Sequence, residues 1–242
     1  MKKNKIQLGV NIDHIATLRQ VRGGTTIYPN LIEFAKMSIK AGASQITIHL
    51  REDRRHIQLY DLIQLSKIGI SLNLEMAATK EMENLAIKYK PDWVCLVPEK
   101  RQELTTEGGL NVDKISRRLS PMIKRIKKYG IKVSLFIDPS LKQVNKAHDL
   151  GADAVELHTG TWVLAKSKKN RTQEWTHLVE AAVMAHELGL RVHAGHGLDY
   201  KTAIEIRQLP YLQEVNIGHS LVCYALEDGL ATAIQKMKRQ LT

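Results

Sequence analysis

Short apolar runs alternate along the chain with longer stretches of helical period. Eight of these runs read as strands: 6–11 (IQLGVN), 45–49 (QITIH), 70–75 (ISLNLE), 93–97 (WVCLV), 132–137 (KVSLFI), 153–158 (DAVELH), 190–194 (LRVHA) and 213–218 (QEVNIG). They are rich in Val, Ile and Leu, and several lack strict polar alternation, as strands covered on both faces do. Between them, apolar positions recur at the i, i+3, i+4, i+7 spacing of amphipathic helices. Leu31, Phe34, Ala35, Ser38 and Ile39 share one such face. Val222, Ala225, Leu226, Gly229, Ala233 and Met237 share another. Helix exits repeat a device in which Gly42, Gly130, Gly151 or Gly189 follows the last turn and a strand begins within a few residues.

Strands that alternate with helices imply right-handed crossovers and a parallel sheet. About eight units in 242 residues fit one (β/α)8 TIM barrel with short extra helices, spanning 1–242 as a single catalytic domain. A doubly wound open sheet is the alternative, but it usually needs fewer strands, and no GxGxxG follows the first one. No linker or composition shift marks a second domain.

Barrel chemistry sits at the C-terminal ends of the strands. Here those ends carry Asn11-Ile12-Asp13-His14, His49 with Arg51 to His56, Asn73-Leu74-Glu75, Pro98-Glu99-Lys100-Arg101, Asp138, Glu156-Leu157-His158, His193 to Gly197, and Asn216 to His219. Ionisable groups gathered at one end of an apolar barrel cost free energy unless they are paired or used. This asymmetry points to an enzyme. His49, Glu75, Glu156 and His196 are the acid–base candidates: imidazole titrates near neutrality, and desolvation lifts a buried carboxyl toward it. The turns Gly195-His196-Gly197 and Gly218-His219-Ser220 fall where barrels often hold phosphate, after strands seven and eight. Arg22, Arg51 and Arg54 offer forked donors to a second anion, against the plainer alternative of surface pairing with Glu52 and Asp53.

The balance of 36 Lys and Arg against 25 Asp and Glu gives a net charge of +11. Nucleic acid and small anionic substrates are the competing partners for such a chain. Lys124, Lys127 and Lys128 lie on helix faces and read as solvated. An aromatic content of 5% offers few stacking platforms for single strands. No uncharged apolar run approaches the roughly 20 residues of a membrane span, and no signal peptide is read at the N-terminus. Cys95 and Cys223 have no zinc-ligand spacing and read as two buried thiols in a reducing cytoplasm. No His-x-His closes strand one and no HExxH occurs, so no catalytic metal is expected. No lysine is placed at a strand end for a Schiff base, since Lys100 lies among loop charges.

The segments GVNIDHIATLRQVRGG (9–24), ITIHLREDRRHI (46–57), NLEMA (73–77), LVPEKRQELTTEGGL (96–110), VSLFID (133–138), ELHTG (156–160), AGHGL (194–198) and NIGH (216–219) resemble the pyridoxine 5′-phosphate synthase family over essentially the whole chain. The resemblance implies a cytoplasmic homo-octamer of (β/α)8 barrels. It implies condensation of 1-deoxy-D-xylulose 5-phosphate with 3-amino-2-oxopropyl phosphate to pyridoxine 5′-phosphate, inorganic phosphate and water, without metal or organic cofactor. By the family pattern His49 and Glu75 are general bases, His196 is the general acid, and Glu156 stabilises a charged transition state. Asn11, Asp13, His14, Arg22, Arg51, His56, Thr105, Gly197, Gly218 and His219 then bind the two phosphorylated substrates. The fourth loop, carrying Thr105, closes over them. Residues 161–171 (TWVLAKSKKNR) and Tyr224, where an arginine is expected, depart from the pattern.

Overall fold

The computed structural model describes residues 5–100, 103 and 108–242. Eight strands close into a barrel in chain order, each parallel to the next: β1 (Gln7–Asn11), β2 (Gln45–His49), β3 (Leu72–Met76), β4 (Trp93–Leu96), β5 (Lys132–Ile137), β6 (Ala154–His158), β7 (Arg191–Gly195) and β8 (Leu212–Ile217), which pairs back onto β1. All eight expected strands form, β2 and β5 with the expected bounds and the others with ends moved by one or two residues.

The strands alternate more strictly than their apolar content suggests. Ile46 and Ile48 of β2, Leu72 and Leu74 of β3, and Val155 and Leu157 of β6 belong to the buried hydrophobic core. The intervening residues are largely polar, and register carries them around the barrel in layers. Thr47 pairs with Asn73, His49 with Glu75, Glu75 with Cys95, and Glu156 with His193. They bond to one another across the lumen: Gln45 to Glu214 at 2.7 Å, Thr47 to Asn216 at 2.9 Å, and Asn216 to Glu156 at 2.8 Å. Burying polar groups is tolerable only when they are satisfied in this way. The lumen also demands small residues where side chains cross it. A Cβ on Gly195 would lie 2.2 Å from Glu156 Oε1.

The helices follow the strands. α1 (Asp13–Gln20) and α2 (Leu31–Ala41) come after β1, α3 (Leu59–Leu65) after β2, α4 (Lys80–Tyr89) after β3, α5 (Val112–Lys128) after β4 and α6 (Leu141–Asp149) after β5. Next come α7 (Gly160–Leu164) and α8 (Lys168–Glu187) after β6, α9 (Tyr200–Ile206) after β7, and α10 (His219–Asp228) and α11 (Leu230–Gln240) after β8. The doubled helices after β1, β6 and β8 are the expected short additions. Gly42, Gly130, Gly151 and Gly189 close their helices at φ values from +79° to +107°, a region glycine enters without strain.

Three expectations are corrected. The face running from Val222 to Met237 is not one helix: it breaks at Gly229 (φ +78°, ψ 148°), and Leu226 is exposed. Cys95 is buried as expected, but Cys223 is exposed and lies 3.7 Å from His219 Nε2. Phe34 and Ile39 only partly enter the core from α2, which buries Leu31, Ala35, Ser38 and Ala41 instead.

The divergent segment 161–171 is ordered around Trp162, which is buried against Trp175 and carries the Arg171 guanidinium 4.5 Å above its ring. Tyr224 stacks flat on Tyr200 at 3.9 Å. Among the described residues no helix is long and apolar enough to cross a membrane.

Candidate active site

A cavity of 710 Å³ opens at the C-terminal rim of the barrel. Eleven of the expected site residues line it: Asn11, Asp13, His14, His49, Arg51, Glu75, Glu156, His196, Gly197, Gly218 and His219. Three do not. Arg22 is exposed in the turn after α1. His56 lies behind His49, ring to ring at 6.2 Å. Thr105 falls outside the described residues. Asn216 and Ser220, from the strand-eight end and its turn, also line the cavity, as do Phe136 and the α7 residues Val163 and Leu164, which carry no signal in the sequence. Of these, Asn216 stands at a strand end with the others and was open to the same argument.

Register explains why the acid–base groups meet. His49 and Glu75 are partners on adjacent strands, so both side chains leave the sheet on the same side, at its rim. Asn11 ties them to β1. Its amide donates to Asp13 Oδ2 at 3.0 Å and Glu75 Oε2 at 3.5 Å, while its own Oδ1 accepts the Asp13 N–H at 2.9 Å. Asp13 Oδ1 accepts the His49 N–H at 2.8 Å. The imidazole of His49 sits between two carboxyls, with Nδ1 3.9 Å from Glu75 and Nε2 2.9 Å from Glu99.

Charge at the base of the cavity is limited by burial. Desolvation, then Glu156 and Asp13, pushes Glu75 well above the ordinary carboxylate range. Desolvation, then Glu214, lifts Glu156 to about 8. Desolvation lifts Asp13 to about 6 against the opposing pull of His49 and its N–H. These carboxyls therefore hold protons at pH values where a free one has lost them. On the other wall, burial and the neighbouring His158 lower His196, and burial and His219 lower His14. An incoming phosphate would oppose both shifts by supplying negative charge.

The β7 and β8 ends turn tightly. His196 and Gly197 both take left-handed conformations (φ +80° and +81°), a strain for the histidine that surrounding structure must hold. The Thr159 hydroxyl lies within hydrogen-bonding reach of the Gly195 and His196 carbonyls, at 2.8 and 2.6 Å, and supplies that hold. Gly218 caps α10, whose first residue, His219, meets His14 edge to face at 5.0 Å. Arg51 lines the cavity and pairs with Asp53 at 3.3 Å. Arg54, expected at an anion or against Glu52 and Asp53, instead turns away to Glu81 at 2.7 Å.

Asp13, His49 and Glu75 bring one ligand atom each within 4.8 Å of one another, a spacing that suits a cation. Three of their four carboxylate oxygens, Asp13 Oδ1 and Oδ2 and Glu75 Oε2, already accept from the Asn11 amide or the His49 N–H. A cation there would compete with those bonds.

The raised carboxyl of Glu156 carries a stability consequence. Between pH 4.5 and about 8 the folded chain holds a proton here that the unfolded chain has released. Its contribution is therefore full at low pH and lost as pH rises through the folded value. Lowered histidines such as His193, held near 3 mainly by burial, oppose this in the acid part of the range. The comparison must therefore be between proteins. Glu156→Gln keeps a carbonyl for the Asn216 amide, and its thermal midpoint should gain on the parent steadily from pH 5 to pH 8. Parallel melting curves across that window would contradict the assignment.

Fold and cavity place the chain among the (β/α)8-barrel enzymes. A family model described as pyridoxal phosphate biosynthesis protein PdxJ matches residues 8–242. The pyridoxine 5′-phosphate synthase of Bdellovibrio bacteriovorus is 61% identical over 99% of both chains. That of Ehrlichia ruminantium is 48% identical over 99% of this chain and 98% of its own. The chain belongs to the pyridoxine 5′-phosphate synthase family. In fold alone it is also similar to a 4-hydroxy-2-oxoglutarate aldolase/2-deydro-3-deoxyphosphogluconate aldolase, with TM-score 0.64 and 14% identity over 99% of this chain and 96% of the other.

Proposed function

We propose that this chain condenses 1-deoxy-D-xylulose 5-phosphate with 3-amino-2-oxopropyl phosphate to give pyridoxine 5′-phosphate, inorganic phosphate and water. One observation carries the reading: His49, Glu75, Glu156 and His196 face a single cavity that is also lined by Gly197, Gly218, His14 and His219, a set that suits phosphate. The amino ketone brings its own nitrogen, so an imine forms without an enzyme lysine. Ring closure then requires repeated proton transfers. His49 takes substrate protons as a base. Glu75, whose proton affinity is raised by burial, serves as the second base. His196 donates to a leaving oxygen, and Glu156 steadies positive charge that develops beneath the ring. Asn11, Asp13, His14, Arg51, Gly197, Gly218 and His219 hold the two substrates. Arg22, His56 and Thr105 join them on the strength of the family pattern alone.

On the same reading the enzyme is a one-domain transferase that works in the cytoplasm as a homo-octamer and needs no metal or organic cofactor. The test is direct. Chelator-treated protein given both substrates should form pyridoxine 5′-phosphate and inorganic phosphate in equal amounts. Turnover of the ketose phosphate without the amino ketone would show a different sugar-phosphate reaction and overturn the proposal.

A further inference from the structure

Glu99 does not line the cavity, yet among the described residues it lies closest to a ring nitrogen of His49. Its Oε1 lies 2.9 Å from Nε2, on the edge of the ring remote from Glu75. Its other oxygen accepts the Glu52 N–H at 2.9 Å, and its side chain is only 4% exposed. Its own N–H donates to Glu103 Oε2 at 3.2 Å, and Glu103 is fixed in turn by Arg118. Glu99 is thus held at both carboxylate oxygens and, at a third point, through its backbone N–H, at the root of the loop after β4.

We propose that Glu99 is a positioning residue for His49: it holds the imidazole with its proton on Nε2 and leaves Nδ1, facing Glu75 and the cavity, as the atom that accepts substrate protons. This rests on the reading of His49 as a base. The two carboxyls that flank the ring are shifted in opposite directions. Burial pushes Glu99 up, but the hydrogen bond from His49, the Glu52 N–H and the nearby charges of His49 and Arg51 outweigh it and hold Glu99 below its ordinary value. Glu75 is held well above its own. Of the two carboxyls, Glu99 is therefore the one that ionises more readily. An ionised carboxylate can only accept, so Nε2 must donate to it. A neutral ring that donates from Nε2 has its lone pair on Nδ1.

The discriminating variant is Glu99→Gln. The Glu52 N–H requires an oxygen opposite it, so the new amide turns its NH2 toward Nε2. The ring proton is then forced onto Nδ1, where it blocks the base. We expect kcat to fall by about a hundredfold or more, as wrong-tautomer variants of other histidine bases do, with KM changed by less than about threefold. In 15N spectra of histidine-labelled protein, the signals that disappear in His49→Ala should report Nε2–H in the parent and Nδ1–H in Glu99→Gln. A parent spectrum showing Nδ1–H would overturn the proposal. So would a Glu99→Gln enzyme that keeps its kcat and only loses affinity, because Glu99 would then merely tether the loop. Activity retained in Glu99→Gln while His49→Ala is dead removes this inference and leaves the proposed reaction standing. An active His49→Ala removes the base itself, and this inference with it.

Discussion

Glu75→Gln should lose about a thousandfold in kcat, roughly 4 kcal/mol of barrier, while the barrel stays folded. The substitution changes little in the resting site. The Asn11 amide still finds an acceptor at the position of Oε2. Burial already favours the protonated form of the Glu75 carboxyl, so the amide withdraws little charge. What disappears is the capacity to release that proton and take it back. His49→Ala removes the partner in the same register and should cost as much. Steady-state kinetics beside thermal melting checks both. Near-parental turnover by either variant, with an unchanged melting curve, would take that residue out of the mechanism.

Part of this site is written in the sequence. Barrel topology turns a one-dimensional pattern into a spatial one: every strand end goes to the same rim, so Asn11, His49, Glu75, Glu156 and His219 could be assembled without coordinates. Local rules worked for the glycines that end helices, because a left-handed residue is a local demand. The misses are of two kinds. Gly229 sits on an apolar face and looked like part of one helix, since periodicity does not register a φ of +78°. Arg54 and Cys223 were judged by their neighbours in sequence, but their environment is set by Glu81 on α4 and by which side of α10 meets solvent. Glu99 was visible as a charge after β4. Its use depends on a contact across 50 positions of sequence, which no spacing rule encodes. The alternation inside the strands was present all along in QITIH and LNLEM. The abundance of Ile and Leu concealed that the polar half faces the lumen rather than solvent.

Arg19→Ala should destabilise the chain by about 3–5 kcal/mol, the usual cost of leaving one member of a buried ion pair alone. For a protein of this length that is a fall of about 10 °C in the thermal midpoint. Arg19 on α1 grips both oxygens of Asp61 on α3 at 2.7 Å each, and the two side chains are 5% and 4% exposed. Removing the arginine strands a carboxylate whose remaining donor is the Gln58 N–H at 2.8 Å. The damage should also reach the cavity. Arg19 donates to the His56 carbonyl at 3.3 Å, so the pair pins the far end of the loop that carries Arg51 and His56. With that anchor gone, KM for a phosphorylated substrate should rise in protein that is still folded at the assay temperature. Replacing both partners by apolar residues, Arg19→Met with Asp61→Leu, should recover much of the stability, because no charge is left buried, but not the affinity, because the loop is still untethered. A midpoint within about 2 °C of the parent for Arg19→Ala would mean that water reaches Asp61 readily and that the loop is held by other contacts.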